Sequence, residues 1–380
     1  MKKIIKFIKF LKKIKIIFQK PKTQKIIIYD IVSKDYLKGY FNKEDYFVLS
    51  TRKEVFNFYV LISTIFNKKK LNYLNYLSQY IELINPKFII TFVDNDINFY
   101  ELKKMLYKKK FIAIQNGVRF ITGDFLELLT QKRGENYNVD HYLVFSESYK
   151  SQIEKYIKSD FLLAGSIKNN LFEISNNYKK NTIAYISRFS DIFIDYVKNK
   201  NINEIKKNYR SWEVDLLFYC IELIKNISIY CHSNNLKLNI IGASGDSELE
   251  KLFYSNLLKS NSYNFNPKEN NFGNYLKINE YEVLINAMST FGYEAISRDK
   301  KVGFFSGDFI EGSSFLWPTS NQKKGNFFSN SYSLEEVERV LDYLLKIDHK
   351  NWLEEISPYN QKLFFYDKNN SKLKKFLQNI

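Results

Sequence analysis

Short apolar runs alternate with stretches of helical spacing along most of this chain. The runs Lys25–Asp30, Tyr46–Ser50, Phe88–Val93, Phe111–Gln115, Tyr142–Phe145 and Phe161–Ala164 are rich in β-branched and aromatic residues and predict strands. Between them, 56–66, 71–84 and 97–110 carry the spacing of helices, and another helix falls between the last two runs. Strands this short and this apolar, alternating with helices, imply a parallel sheet covered on both faces.

Residues 169–180 are polar and asparagine-rich, and the alternation then restarts. Strands are predicted at Thr182–Ile186, Leu238–Ile241, Glu282–Ile285 and Val302–Phe305. Helices are predicted at 212–234, from Ser247, at 290–297, at 334–347 and over 361–380. No short repeat suggests a solenoid. The expected organisation is a segment at 1–22, an α/β domain at 23–168, a linker at 169–181, a second α/β domain at 182–350 and a helical tail at 351–380.

A length of 380 residues fits two such domains, and a hydrophobic fraction of 45% supplies two cores. The formal net charge of +17 points to an anionic partner. Lys, Asn, Ile, Tyr and Phe are all abundant and all have A/T-rich codons, so the lysine excess also has a genomic explanation. Cys220 and Cys231 lack metal-ligand or framework spacing and read as buried free thiols.

Residues 1–20 hold eight lysines and no carboxylate. Drawn as a helix, Lys2, Lys6, Lys9 and Lys13 share one face, and Ile4, Phe7, Ile8, Leu11, Ile14 and Phe18 the other. No apolar run approaches the roughly 20 residues that span a bilayer. The pattern suits a helix lying in the plane of an anionic membrane, or one packed on the protein body with solvated lysines.

Ligands of open α/β sheets bind beyond the carboxyl ends of the strands, so polar clusters there are the candidates for chemistry. Asp94-Asn95-Asp96 offers a general base or nucleophile, or else a turn in which Asp96 caps the next helix. Gln115-Asn116-Gly117-Val118-Arg119 pairs a turn glycine with an arginine able to grip phosphate or carboxylate. Ser187-Arg188 opens the second domain's first strand end and suits a donor phosphate or a plain surface arginine. Ser289-Thr290 begins a helix, where backbone N–H groups favour anions. Glu294 follows one turn later and can accept from ribose hydroxyls. His141, His232 and His349 are scattered, and only His141 adjoins a predicted strand. No dinucleotide fingerprint, phosphate-binding P-loop, nucleophile elbow or zinc-protease motif is present.

Thr91–Asp96, Ile114–Arg119, Ala164-Gly165-Ser166 and Met288–Ala295 together resemble a family of bacterial transferases found in surface-carbohydrate and lipopolysaccharide loci. The pieces follow that family's order over roughly residues 25–310. The last one is similar, more distantly, to the donor-site hydroxyl pair and glutamate of GT-B glycosyltransferases, including capsule Kdo transferases. The resemblance implies a GT-B fold, with two Rossmann-like domains facing a central cleft, and no cofactor or catalytic metal. It implies transfer of a sugar from a nucleotide-sugar donor to a glycan or lipid-linked acceptor, at the inner face of the cytoplasmic membrane. Arg188, Ser289, Thr290 and Glu294 would hold the donor. Asp94 or Asp96 would act catalytically, with Gln115, Asn116, Gly117 and Arg119 contacting acceptor or phosphate. The chain lacks the His-Pro pair of some capsule Kdo and sialic-acid transferases, which leaves the donor nucleotide open. Two rival classes remain, a non-catalytic scaffold of the glycan machinery and a nucleic-acid binder. The second lacks a recognised motif and is not expected.

Overall fold

The computed structural model describes residues 15–52, 54–119, 124–132, 134–199, 201–259, 263–269, 272–306, 323–360 and 362–380. They form two compact units. The first takes the described residues of Met1–Asn116, Leu128–Ile167 and Asn370–Ile380, and the second those of Gly117–Glu127 and Lys168–Asn369. The expected helical tail is therefore divided, its last eleven residues belonging to the first unit.

The first unit contains β1 (Lys15–Ile17), β2 (Ile26–Tyr29), β3 (Tyr46–Leu49), β4 (Val55–Asn57), β5 (Phe88–Thr91), β6 (Lys110–Ile114), β7 (Tyr137–Val144) and β8 (Ile157–Leu163). Six of these make a parallel sheet in the order β3-β2-β5-β6-β7-β8. Every residue of β2 and β5 is buried, as continuous apolar runs in a two-sided sheet require. The order reverses between β2 and β5, so their carboxyl ends flank a topological switch point. The helix Ser371–Gln378 closes this unit: Leu373 is fully buried, and Phe376 and Leu377 pack on the same core.

The second unit contains β9 (Lys179–Ile186), β10 (Lys237–Ile241), β11 (Tyr263–Asn266), β12 (Tyr281–Asn286), β13 (Lys301–Phe305), β14 (Lys324–Gly325) and β15 (Phe328–Ser329). They form one sheet in the order β11-β10-β9-β12-β13-β15-β14, parallel but for the last pair. Here the order reverses between β9 and β12. The long helix Ser211–Ser233 buries Leu217, Leu223, Ile224 and Ile227 against this sheet's core. Cys220 and Cys231 lie on it as buried free thiols.

Several elements differ from the pattern. Met1–Ile14 lie outside the described residues, but the basic segment does not continue as a helix: Lys15–Ile17 is a strand paired in parallel with Val55–Asn57. Phe56 accordingly lies in β4, and the helix after it is Phe58–Phe66. Among the described residues of 361–380, α-helix is confined to Ser371–Gln378, because Asn369 and Asn370, which end the short 3-10 turn Lys368–Asn370, adopt φ of 57° and 54°. The 169–181 stretch carries regular structure at both ends, a 3-10 turn at Asn169–Leu171 and β9 from Lys179.

Candidate functional site

The switch point of the first unit gathers Tyr29, Asp30, Arg52 and Asp96. Asp30 follows β2 with φ 71°, a conformation a β-carbon resists. It is buried, and three contacts offset that strain. Oδ1 accepts from Val32 N at 2.8 Å and so caps the helix Ile31–Leu37, while Oδ2 accepts from Thr51 Oγ1 (2.7 Å) and Arg52 Nε (2.8 Å). Arg52 reaches the surface, and its guanidinium is held above the usual value by Asp30. Asp96 caps the helix Ile97–Met105: Oδ1 accepts from Asn98 N at 3.0 Å, and Oδ2 from the Tyr29 hydroxyl at 2.8 Å. Burial, then Asp96, pushes the Tyr29 phenol far up, so it stays a donor. Sequence reasoning placed Asp30 at a strand end but did not count it among the candidate residues. Its signal was a carboxylate directly after the first buried run.

Asp94 lies deeper. It is fully buried, its Oδ1 accepting from Asn116 N (3.1 Å) and its Oδ2 from the Tyr142 hydroxyl (2.7 Å). Its backbone carbonyl takes the Tyr100 hydroxyl at 2.7 Å. A carboxylate so enclosed braces the turn at Asn116. Gln115 is equally internal, its Oε1 accepting from Phe145 N at 2.7 Å and tying the ends of β6 and β7 together. His141 lies within β7 with its ring 5.0 Å from that of Phe376, away from the strand ends.

The switch point of the second unit joins Arg188, after β9, to the turn after β12. Arg188 donates through Nη1 to the carbonyl of Met288, a residue held at φ 59°. Burial lowers the pKa of its guanidinium. Ser289 caps the helix Thr290–Ile296, its Oγ accepting from Phe291 N at 3.3 Å. Thr290 Oγ1 accepts from Val118 N at 3.0 Å, and a Cβ on Gly117 would stand 3.3 Å from the same oxygen. Two motifs distant in sequence thus meet within one unit. Arg119 is buried beside them.

Glu294 is buried on the inner face of the same helix. Its Oε2 accepts from the Tyr275 hydroxyl at 2.7 Å, and Lys168 Nζ lies 4.0 Å from Oε1. Arg298, fully buried, fixes Tyr275 by donating from Nη1 and Nη2 to its carbonyl, each at 3.0 Å. Burial brings that guanidinium down to about 10. Ser187 is committed elsewhere, donating to Glu250, whose carboxylate also accepts from Ala243 N and Ser244 N. The amides after β10 are therefore occupied by an internal carboxylate, and burial raises its pKa. Among the described residues no three metal-ligating side chains come together.

The profile of a family described as "putative O-antigen biosynthesis protein" matches residues 112–380, well over half of the chain. The chain belongs to this family. No curated protein matches it in sequence. Among solved structures, S. aureus MnaA in a co-structure with UDP is similar with a TM-score of 0.53 at 12% identity, covering 94% of this chain and 98% of that one. The wall teichoic acid polymerase TagF is similar with a TM-score of 0.51 at 10% identity, covering 93% and 89%. A TagF variant with CDPG gives 0.50 at 10% identity, covering 93% and 88%. Identities this low speak to architecture, and the architecture of this O-antigen family member is GT-B-like, built of two Rossmann-like units.

Proposed function

We propose that this O-antigen biosynthesis family member is a glycosyltransferase. It would move a sugar from a nucleotide-activated donor to a lipid-linked or lipopolysaccharide acceptor, without a cofactor or catalytic metal. The observation that carries the reading is the pairing at the second switch point of a half-buried arginine with a serine-capped helix start and a buried glutamate. Such a set offers a cation and hydroxyls to phosphate and a fixed carboxylate to ribose. MnaA with UDP and TagF with CDPG give this fold a precedent for nucleotide ligands. In this reading Arg188 and Ser289 hold the donor phosphates and Glu294 the ribose. Thr290 shapes the site by holding the Gly117 turn. On the acceptor side Asp96 is the base, because it alone of the two candidate carboxylates reaches the surface, and Arg52 steers an anionic acceptor. Asp94, Gln115 and Asn116 position that region, and Arg119 supports the turn from within.

The same reading places the enzyme at the inner face of the cytoplasmic membrane, held there in part by the lysine-rich residues 1–20. No described helix is long and apolar enough to cross a bilayer.

Calorimetry with CMP-, UDP-, GDP- and dTDP-sugars tests the proposal. One nucleotide class should bind, and Arg188→Lys and Glu294→Gln should each weaken it by about tenfold or more, the scale of one lost charge-assisted hydrogen bond. No binding by any of the four, to a folded protein, would sink it.

A further inference from the structure

We propose that the helix Phe58–Phe66 and the end of β1 form a docking surface for an anionic lipid bilayer. The proposal deepens the membrane part of the reading above, and its evidence is independent of the donor site. The helix is built inside out. Its nine residues include no charge, yet only Val60 and Thr64 are buried. What holds it to the neighbouring helix Tyr73–Ile84 is in part polar. Buried Gln79 donates to Ser63 Oγ at 3.1 Å and accepts from Asn67 Nδ2 at 3.0 Å.

The apolar residues face the other way. Phe58, Ile62, Ile65 and Phe66 follow the spacing of a single helical face, and all four are exposed, Phe66 to 81% and Ile65 to 51%. Phe18, 67% exposed, lays its ring 5.6 Å from that of Phe58 and extends the face onto the strand side. A surface helix ordinarily hides its apolar stripe, and a contiguous exposed one marks a contact surface.

Charge names the occupant. Lys68 and Lys70 follow the helix, and Lys15, Lys20 and Lys22 flank Phe18 in sequence, all exposed. The chain has no carboxylate from residue 1 to 29 or from 55 to 81. Apolar anchors within a cationic rim match hydrocarbon beneath anionic headgroups.

The test uses the full chain and phosphatidylglycerol-containing vesicles, with pure phosphatidylcholine as the control. Ile65→Gln/Phe66→Gln should lower partitioning onto the anionic vesicles by about tenfold or more, since two side chains lose their burial in lipid. Circular dichroism and nucleotide affinity should not change. In a separate variant, Phe66→Trp, the added indole should show a blue-shifted emission on those vesicles, quenched by lipids brominated in the acyl chain. Undiminished partitioning of the double variant overturns the proposal, as does an added-indole emission that stays unmoved on vesicles that do bind the protein. So does a dimer that the double variant dissociates, which would make the face a contact between copies. An emission already blue in free protein, and red-shifted by deleting residues 1–14, would give the face to that segment instead. Failure of every nucleotide to bind, with vesicle binding intact, would sink the glycosyltransferase reading and leave this one standing.

Discussion

Gly292 shows how tightly single residues govern the second switch point. A Cβ built there would lie 2.2 Å from Cγ and 2.5 Å from Cβ of Asn286, the last residue of β12. Asn286 is itself buried, and its Oδ1 accepts from Ser289 N at 3.2 Å. The glycine thus lets the helix start press against the strand end and keeps Ser289 in place. Gly292→Ala should destabilise the fold by about 1–3 kcal/mol through overpacking, read as a lower midpoint in denaturant. It should also weaken nucleotide binding in protein that remains folded. An alanine variant of unchanged stability would show that the close approach is relieved by a small shift. The residue scale also sets the limit of reading from sequence. The motif Ser289–Glu294 was visible, but that Thr290 accepts from Val118 and Glu294 from Tyr275 depends on partners brought together only by folding.

At the scale of elements, Asp96 separates a structural from a chemical role. As the N-cap of Ile97–Met105 it should contribute about 1 kcal/mol, lost in Asp96→Ala and kept in Asp96→Asn, because both Asp and Asn cap well. As a base it should fail in both. The expected outcome is an Asp96→Asn protein of near-native stability that binds donor nucleotide but transfers sugar at least about a hundredfold more slowly, the scale of a general base. Asp96→Asn with full activity would leave Asp96 a cap and nothing more. Parallel strands such as Ile26–Tyr29 and Phe88–Thr91 were legible because burial on both faces leaves an unbroken apolar run. The three-residue β1 and β4 and the polar Tyr263–Asn266 carry no such signal. The helix Phe58–Phe66 was legible as a helix but not as one facing outward, since periodicity reports an apolar stripe without saying what covers it.

At the scale of the whole molecule, the chain returns to its first unit at the end. Asn370 Nδ2 donates to the Tyr40 hydroxyl (2.7 Å) and to the carbonyl of Ile167 (2.8 Å), which anchors the start of the helix Ser371–Gln378. That helix inserts Leu373 into the core shared by Ile28, Phe88, Ile90 and Ile112. The long helix expected over 361–380 hid this arrangement, because asparagines at 369 and 370 can bend the chain but do not announce that they will. If the last helix belongs to the first unit, its loss should be felt there. Leu373→Ala removes a fully buried side chain and should cost about 2–5 kcal/mol. Hydrogen exchange followed by mass spectrometry should then show faster exchange in β2, β5 and β6. Peptides from β9, β12 and the helix Ser211–Ser233 should keep their protection, since they build the other core. Nucleotide binding, proposed for that second unit, should survive the substitution at temperatures where the first unit remains folded. Loss of protection confined to the second unit, or spread equally over both, would show that the final helix does not stabilise the first core selectively.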